Sequence, residues 1–498
     1  MYSLYAQTKE KLRFATYRGY DLCNPTAAVL AHLLFDKRST RKKIRSAFKL
    51  IRLTPRYRHH DQLKGDAYIW HCDRDDQTRL ALSIGNRLSD KQPRNISYLP
   101  AIKEDASKSL DWRAMYAAWR ITRRCSLPLL LQFYVFSALC HSIKHFRAID
   151  RLQIPQQLTS LVSFNSANIP ECFLVAACRH HGLPTYSLQH GLYHRYRGEQ
   201  PIDIINYENV TASTLLVWSE FCRAEIAAFH REIGRTPDYR IQIAGYIDPP
   251  APQHGSRPSP TAHKHLLCVL PGKRYVADSI QLLHLLASLP AHYRLTVRLH
   301  PLLAKDAALM AALPPSASLD DSPTLAHALR AGHYDLAVGF NTTSLFEATL
   351  FGVPCALYQA HGLNLIAEGI PSFLNAEELA QLADAPIDTR QLADYILGRP
   401  ASATLKSSAQ QKLERHAPQG GVAQNTDGPK PTDPQRPWQL RSPQQAEPVT
   451  HSRCLLAAQQ AWVRGCAARE RQRHRCRIGI GERLPSPRLG KAAQGKVQ

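Results

Sequence analysis

From residue 158 onward, short apolar runs alternate with helix-forming segments, and this alternation constrains the fold of the 498-residue chain more than any other feature. Leu158 to Phe164, Pro184 to Leu188, Thr214 to Trp218 and Tyr239 to Ala244 read as strands, with helices over Ile169 to His181 and Glu220 to Ile233. After an interruption the pattern resumes. Strands are expected at His265 to Leu270, Tyr293 to Leu299, Leu336 to Gly339 and Pro354 to Leu357, and helices at Val276 to Leu289, Leu303 to Leu313 and Ser344 to Phe351. Strands that alternate with helices pair in parallel, because each crossover helix returns the chain to the same end of the sheet. The expectation is an α/β chain with doubly wound sheets and a ligand crevice at the carboxyl ends of the strands.

The interruption is Pro249-Pro250-Ala251-Pro252 followed by Pro258 and Pro260, which neither a helix nor a central strand can continue. It places a linker at 251–264 between two Rossmann-like domains that face a cleft. The first domain spans 1–250, with a basic, mainly helical region over 1–150 and a Rossmann-like part over 151–250; the second spans 265–400. Residues 401–498 are rich in Gln, Pro, Arg and Ser without periodicity and read as a low-complexity, disordered tail.

Lys and Arg exceed Asp and Glu by 63 to 40, a net charge of +23, so an anionic partner is expected. The densest basic stretch, Lys37 to Arg58, holds ten Lys or Arg and no acid. Ile44, Phe48 and Ile51 recur within it at helical spacing, with Lys42, Arg45, Lys49 and Arg52 largely off that stripe. Such a helix either rests on anionic lipid headgroups or packs its stripe on the body and leaves a solvated basic face. Specific nucleic-acid binding is disfavoured, since no helix-turn-helix, zinc-finger or RNA-stacking motif accompanies the charge.

The twelve cysteines form no C-x-x-C pair and no zinc-ligand spacing, which reads as buried thiols in a reducing compartment. Lys9, Lys11 and Arg13 are followed by mixed polar sequence, so no signal peptide is expected. Leu127 to Cys140, about 14 residues, is too short to span a bilayer and reads as a buried helix. A cytoplasmic location follows, peripheral at the inner face of the cell membrane if the basic helix docks there.

Three motifs fall at strand ends: Gln189-His190-Gly191, Arg298-Leu299-His300-Pro301, and Asn341-Thr342-Thr343-Ser344-Leu345-Phe346-Glu347 followed by Gly352-Val353-Pro354. In this order they resemble glycosyltransferases of the GT-B fold. More narrowly, they are similar to bacterial enzymes of capsule, lipooligosaccharide and teichoic-acid synthesis, including CDP-glycerol glycerophosphotransferases and CMP-sugar transferases. The resemblance covers residues 158 to 400. It implies that 1–250 is the acceptor side and that 265–400 binds a nucleotide-activated donor, a cytidine nucleotide or a UDP-sugar. It also implies that the His-Pro and Ser/Thr motifs hold the nucleotide and that Glu347 matches the carboxylate used on the ribose, unless it is a capping acid.

Residue chemistry supports these roles independently. An attacking hydroxyl must lose a proton, which an imidazole near neutrality accepts well; His190 is the candidate base, unless it only bonds a neighbouring carbonyl. Gly191 would allow close approach of the acceptor, Gln189 would orient the loop, and Asn165, Glu171 and Arg195 are candidate acceptor contacts. On the donor side, His300 can donate to phosphate from a turn fixed by Pro301. Thr342, Thr343 and Ser344 open a helix whose N–H and hydroxyl groups suit an anion or simply cap it. Lys273 brings a cation to the diphosphate or stays solvated, and Arg298 pairs with phosphate or with an acid.

No cofactor is expected, and no metal ligand is assigned. Residues 158 to 400 hold no Asp-x-Asp motif for a metal-bridged diphosphate. The same residues also suit polyol-phosphate transfer from CDP-glycerol. A different class of reading, a non-catalytic basic scaffold or RNA-binding protein, predicts that His190 is dispensable.

Overall fold

A computed structural model describes residues 1–57, 84, 110–152, 154, 158–198, 200–246, 263–359 and 366–398, with the backbone of three strands between 67 and 106. The tail 401–498 and nearly all of the linker 251–264 lie outside the described residues.

The chain begins with helix α1 (Tyr2–Glu10) and a hairpin, β1 (Thr16–Tyr17) and β2 (Tyr20–Asp21), whose turn residues Arg18 and Gly19 both have positive φ, as a tight two-residue turn requires. Helices α2 (Cys23–Leu34), α3 (Thr40–Arg52), α4 (Trp112–Thr122) and α5 (Leu129–Ile149) follow, with strand β3 (Leu53–Arg56) after α3. The buried helix expected over 127–140 is part of α5, which continues for another two turns because its lower half also packs on the body. Lys144, buried in α5, donates to the carbonyls of Leu50 and Ile51 at 3.0 and 2.9 Å, closing the end of α3.

The first sheet has six parallel strands in the order β10-β9-β8-β7-β4-β5: β4 (Ala67–Trp70), β5 (Ile96–Leu99), β7 (Ser160–Ser163), β8 (Thr185–Leu188), β9 (Thr214–Val217) and β10 (Arg240–Ile243). This corrects the sequence reading. Two of the strands come from the region expected to be helical, so the Rossmann-like part starts well before residue 151. A further pair, β3 with β6 (Lys103–Ala106), is antiparallel. Helix α6 (Glu171–His180) crosses between β7 and β8, and α8 (Glu220–Glu232) between β9 and β10, with the short α7 (Ile205–Glu208) before β9. The N-terminal helices cover α6: His145 stacks on Phe173 with ring centroids 4.0 Å apart.

The second sheet is also six-stranded and parallel, in the order β13-β12-β11-β14-β15-β16. Its strands are β11 (Lys264–Val269), β12 (Tyr293–Arg298), β13 (Ser318–Leu319), β14 (Leu336–Gly339), β15 (Cys355–Tyr358) and β16 (Ser372–Phe373). Helices α9 (Val276–Ala287), α10 (Ala307–Ala311), α11 (Leu325–Ala331), α12 (Thr343–Glu347), α13 (Ala376–Asp384) and α14 (Thr389–Ile396) connect and follow them. The helix expected over 303–313 is a 3-10 turn plus α10, and that over 344–351 is α12 continued by a 3-10 turn at Ala348–Phe351.

Helix α14 returns to the first domain, where the Ser219 hydroxyl donates to the Ile396 carbonyl at 2.8 Å. Gly398 then passes so close to Trp218 that a Cβ would lie 2.1 Å from the Trp218 carbonyl oxygen, and its φ of +71° also demands glycine. The two Rossmann-like domains and the N-terminal helices share one continuous buried cluster, from Tyr5 to Leu397. Cys23, Cys125, Cys140, Cys172, Cys178, Cys222, Cys268 and Cys355 are buried free thiols, as expected. Among the described residues no helix is long and apolar enough to cross a membrane.

Candidate active site

In a parallel sheet all carboxyl ends lie along one edge, and a crevice opens where the strand order reverses. The reversal falls between β4 and β7 in the first sheet and between β11 and β14 in the second. The loops beyond β7, β8, β11, β12 and β14 carry, in turn, Asn165, Gln189 to Gly191, Gly272 to Tyr275, His300 and Asn341 to Ser344. Where the loops after β8, β11 and β14 meet, a cavity of about 230 Å³ is walled by His190, Gly191, His194 and Asn206 from the first domain and by Tyr275, Asn341, Thr342 and Thr343 from the second; Asn165, Lys273, His300 and Ser344 do not line it. A larger cavity of about 340 Å³ lies elsewhere in the first domain, among Lys9, Glu208 and Arg235. Its cations are already paired, Lys9 and Arg235 to Glu208 at 3.6 and 3.1 Å and Arg13 to Glu10 at 3.0 Å, and it borders the start of β10 and no carboxyl end of a first-sheet strand, so it is not the candidate site.

His190 leaves the end of β8 between the rings of Phe164 and Tyr193, with centroids 5.5 and 6.2 Å away. The Asn165 amide nitrogen is 3.4 Å from His190 Nε2 and donates to Asn206 Oδ1 at 3.1 Å. Asn165 is therefore a partner of the histidine rather than an exposed acceptor contact. Gln189 is buried and spends its side chain on the loop: Nε2 donates to the Gly191 carbonyl at 2.9 Å and Oε1 accepts the Trp218 N–H at 2.9 Å. It positions the loop and does not reach the cavity. A Cβ at Gly191 would meet only Thr343 Oγ1, at an ordinary 3.6 Å, so packing does not require the glycine.

Two acceptor-side candidates are engaged within the protein itself. Glu171 is buried at the start of α6, accepting from the Ser163 hydroxyl and from the Asn165 N–H, the latter at 2.9 Å. Burial raises its carboxyl to about 7 against the pull of these bonds. It shapes the loop that carries Asn165. Arg195 is held by Glu225 at 3.1 Å, Glu232 at 2.7 Å and, across the domain boundary, Glu368 at 3.8 Å. Three carboxylates already compensate its charge, leaving no reason for it to attract an anionic acceptor.

On the second domain, His300 Nδ1 accepts the Leu302 N–H at 3.2 Å, which puts the proton of the neutral ring on Nε2, the nitrogen 3.8 Å from the Cβ position of Gly272. Pro301 begins the 3-10 turn that fixes this geometry. Arg298 pairs with Asp320 and the Ser322 carbonyl, the acid of its two expected alternatives. Lys273 is exposed at the lip of the β11 loop, and its neighbours Arg274 and Tyr275 both bind Asp203 of the first domain, at 3.2 and 2.7 Å.

Asn341 adopts a left-handed φ of +44°, turning the chain from β14 into α12. Thr342 is the N-cap of α12 without a side-chain capping bond, and Thr343 Oγ1 accepts the Leu192 N–H at 3.3 Å. Ser344 follows in the first turn. Glu347 accepts from the Tyr246 hydroxyl at 2.6 Å, so it joins the two domains.

Asn206 and Asp203 line the cavity although no sequence motif singles them out, and His194 and Tyr275 line it with them. His194 is enclosed against Phe346, with ring centroids 6.1 Å apart, and burial lowers its pKa to about 4, so it is neutral at physiological pH. Asp73-Arg74-Asp75 carries the Asp-x-Asp spacing, so the expectation of a metal-free site rests on residues 158 to 400 alone; the triplet lies outside the described residues.

No family model and no curated protein matches the chain. Solved structures that are similar include the glycotransferase of kitacinnamycin, 14% identical with a TM-score of 0.42 over 70% of this chain and 98% of that one. The lipopolysaccharide outer core galactosyltransferase WaaB is 12% identical, with a TM-score of 0.42 over 70% and 99%. The wall teichoic acid polymerase TagF is 13% identical, with a TM-score of 0.34 over 75% and 92%.

Proposed function

We propose that the chain is a GT-B-type glycosyltransferase that moves a sugar from a nucleotide-activated donor, a cytidine nucleotide in the first instance, to a hydroxyl of a growing capsular or lipooligosaccharide-type glycan. The observation that carries the reading is the cavity shared by the His190 loop and the Asn341–Ser344 loop. A base and a set of phosphate-compatible donors face each other across one small space. In the proposed reaction the acceptor hydroxyl displaces the long Asn165 contact at His190 Nε2, its oxygen attacks the anomeric carbon as its proton passes to that nitrogen, and the bond to the nucleotide phosphate breaks with the electron pair staying on the phosphate oxygen. Negative charge growing on the leaving oxygen is met by the Thr342, Thr343 and Ser344 hydroxyls and the His300 Nε2–H. No cofactor or metal is assigned. The enzyme would work at the inner face of the cell membrane, with the basic segment 37–58 facing anionic lipid.

A thermal-shift series on the full chain with CMP, CDP, UDP and GDP tests this. A ligand at roughly 100 times its dissociation constant stabilises by about 2.7 kcal/mol. Cytidine nucleotides are expected to stabilise the parent and His190→Ala but not His300→Ala, with transfer lost in His190→Ala. A response to UDP or GDP alone replaces the cytidine assignment. Silence from a folded protein toward every nucleotide defeats the proposal.

A further inference from the structure

Helix α4 is amphipathic the wrong way round for a solvated helix. Its inner stripe is small and buried, Ala114, Ala118 and Thr122, while its outer face presents Trp112, Tyr116 and Trp119, at 69%, 61% and 46% exposure. A helix facing water places polar groups there, so an outward aromatic row marks a contact surface. Tyr116 and Trp119 stack with centroids 5.9 Å apart, and the Arg123 guanidinium lies 5.0 Å over the Trp119 ring.

The apolar surface continues beyond the helix. Leu129 and Leu130 open α5, Leu129 at 84% exposure, and one turn on Phe133 meets the exposed Phe48 of α3, with ring centroids 4.8 Å apart. Exposed cations border it: Arg113, Arg120, Arg123 and Arg124 on and after α4, and Arg41, Arg45, Lys49 and Arg52 on α3. No Asp or Glu occurs between Trp112 and Ile149 or between Thr40 and Arg52.

We infer that this α4–α5–α3 face docks on an anionic lipid bilayer, with Trp112, Tyr116, Trp119 and Leu129 entering the headgroup region and the arginines and lysines pairing with lipid phosphates. Trp and Tyr are the side chains that settle at the membrane interface, being apolar in body and polar at the tip. The surrounding cations, without acids among them, match a negative surface and not a zwitterionic one. The inference deepens the proposed transferase by moving the membrane contact from the basic segment alone to the aromatic helix α4. It rests on that reading only for what the docked protein acts on. From Leu129 to His145, which stacks on Phe173 of α6, α5 spans roughly 24 Å. One continuous helix thus runs from the docked surface to α6, whose first residue, Glu171, holds the Asn165 loop.

The test is co-sedimentation of the full chain with vesicles of phosphatidylcholine alone and of phosphatidylcholine mixed with phosphatidylglycerol. The parent is expected to bind the anionic vesicles preferentially, and the triple variant Trp112→Ser, Trp119→Ser, Leu129→Ser to bind them about tenfold more weakly or worse. Should the triple variant melt early, Trp112→Ser and Leu129→Ser are read singly. Arg120→Ser with Arg124→Ser should reduce the preference for anionic over neutral vesicles. Parent-like binding by a folded triple variant overturns the inference, as does a parent that binds neither vesicle. The nucleotide thermal shift, measured on the same preparations, is expected to be unaffected, so failure of docking and failure of the transferase reading are told apart.

Discussion

The Thr343 hydroxyl accepts the backbone N–H of Leu192 at 3.3 Å, so the loop after β14 is tied to the residue two beyond His190. Tyr246 with Glu347 and Asp203 with Tyr275 add two more hydrogen bonds across the domain boundary, at 2.6 and 2.7 Å. The spacing between the candidate base and the candidate phosphate loop is therefore set by direct contacts between the domains.

Thr343→Val keeps the shape of the side chain and removes the acceptor, leaving the Leu192 N–H without that partner. A loss of about 1 kcal/mol in stability is expected, together with a fall in transfer rate of about tenfold or more as the His190 loop loosens and the leaving oxygen loses a hydroxyl donor. Thr343→Ser retains the oxygen and should stay near the parent in both. Unfolding curves and initial rates on the three proteins check this; equal losses in the valine and serine variants would remove the hydroxyl from the explanation.

Arg195→Ala is expected to act on stability and not selectively on the acceptor. It strands Glu225, whose side chain is 7% exposed and whose carboxylate also accepts the Arg195 N–H at 3.2 Å. Removing one partner of a buried pair costs about 3 kcal/mol or more. Adding Glu225→Gln should recover part of that loss, since the buried charge then disappears. Denaturant unfolding of the single and double variants measures it. A stable Arg195→Ala protein with only a raised acceptor KM would restore the acceptor-contact role.

The two-residue edge strands β13 and β16 are too short to show as apolar runs, whereas β11, β12, β14, β15 and the later strands of the first sheet were legible because their apolar runs are bounded by turn residues and separated by helical segments. Strands β4 and β5 were not. Ala67–Trp70 and Ile96–Leu99 stand among Asp, Arg and Asn with no helical pattern between them, and their place beside β7 is a long-range pairing. Motif residues were found because each follows a strand, but their partners come from far along the chain. Tyr246 is 101 residues from Glu347, and the carboxylates around Arg195 arrive from α8 and from beyond β15. Local sequence advertises a charge or an imidazole; whether it is free to meet a ligand depends on what the fold brings against it.

Glu171 and His194 give the protein opposing pH dependences that single substitutions should separate. Burial raises Glu171 from 4.5 to about 7 and lowers His194 from 6.5 to about 4. Below about pH 4.5 the carboxyl is protonated in folded and unfolded chains alike, and its stabilising contribution is fully present. As pH rises toward 7 the unfolded chain gives up that proton first, and the contribution is lost, on the order of 3 kcal/mol in all. For His194 the sign reverses. Its contribution is present above pH 6.5 and is lost as pH falls through about 4, because the unfolded imidazole takes up a proton that the buried ring refuses. Between about pH 4.5 and 6.5 the two slopes largely offset in the parent. Glu171→Gln removes the falling one, so the difference in stability between variant and parent should move in the variant's favour as pH rises through this window. His194→Asn should move it the other way. Unfolding free energies at a series of pH values, taken as variant minus parent, decide the matter. A difference that stays flat from pH 4.5 to 7 for Glu171→Gln would mean that the Glu171 carboxyl keeps an ordinary pKa in the folded chain.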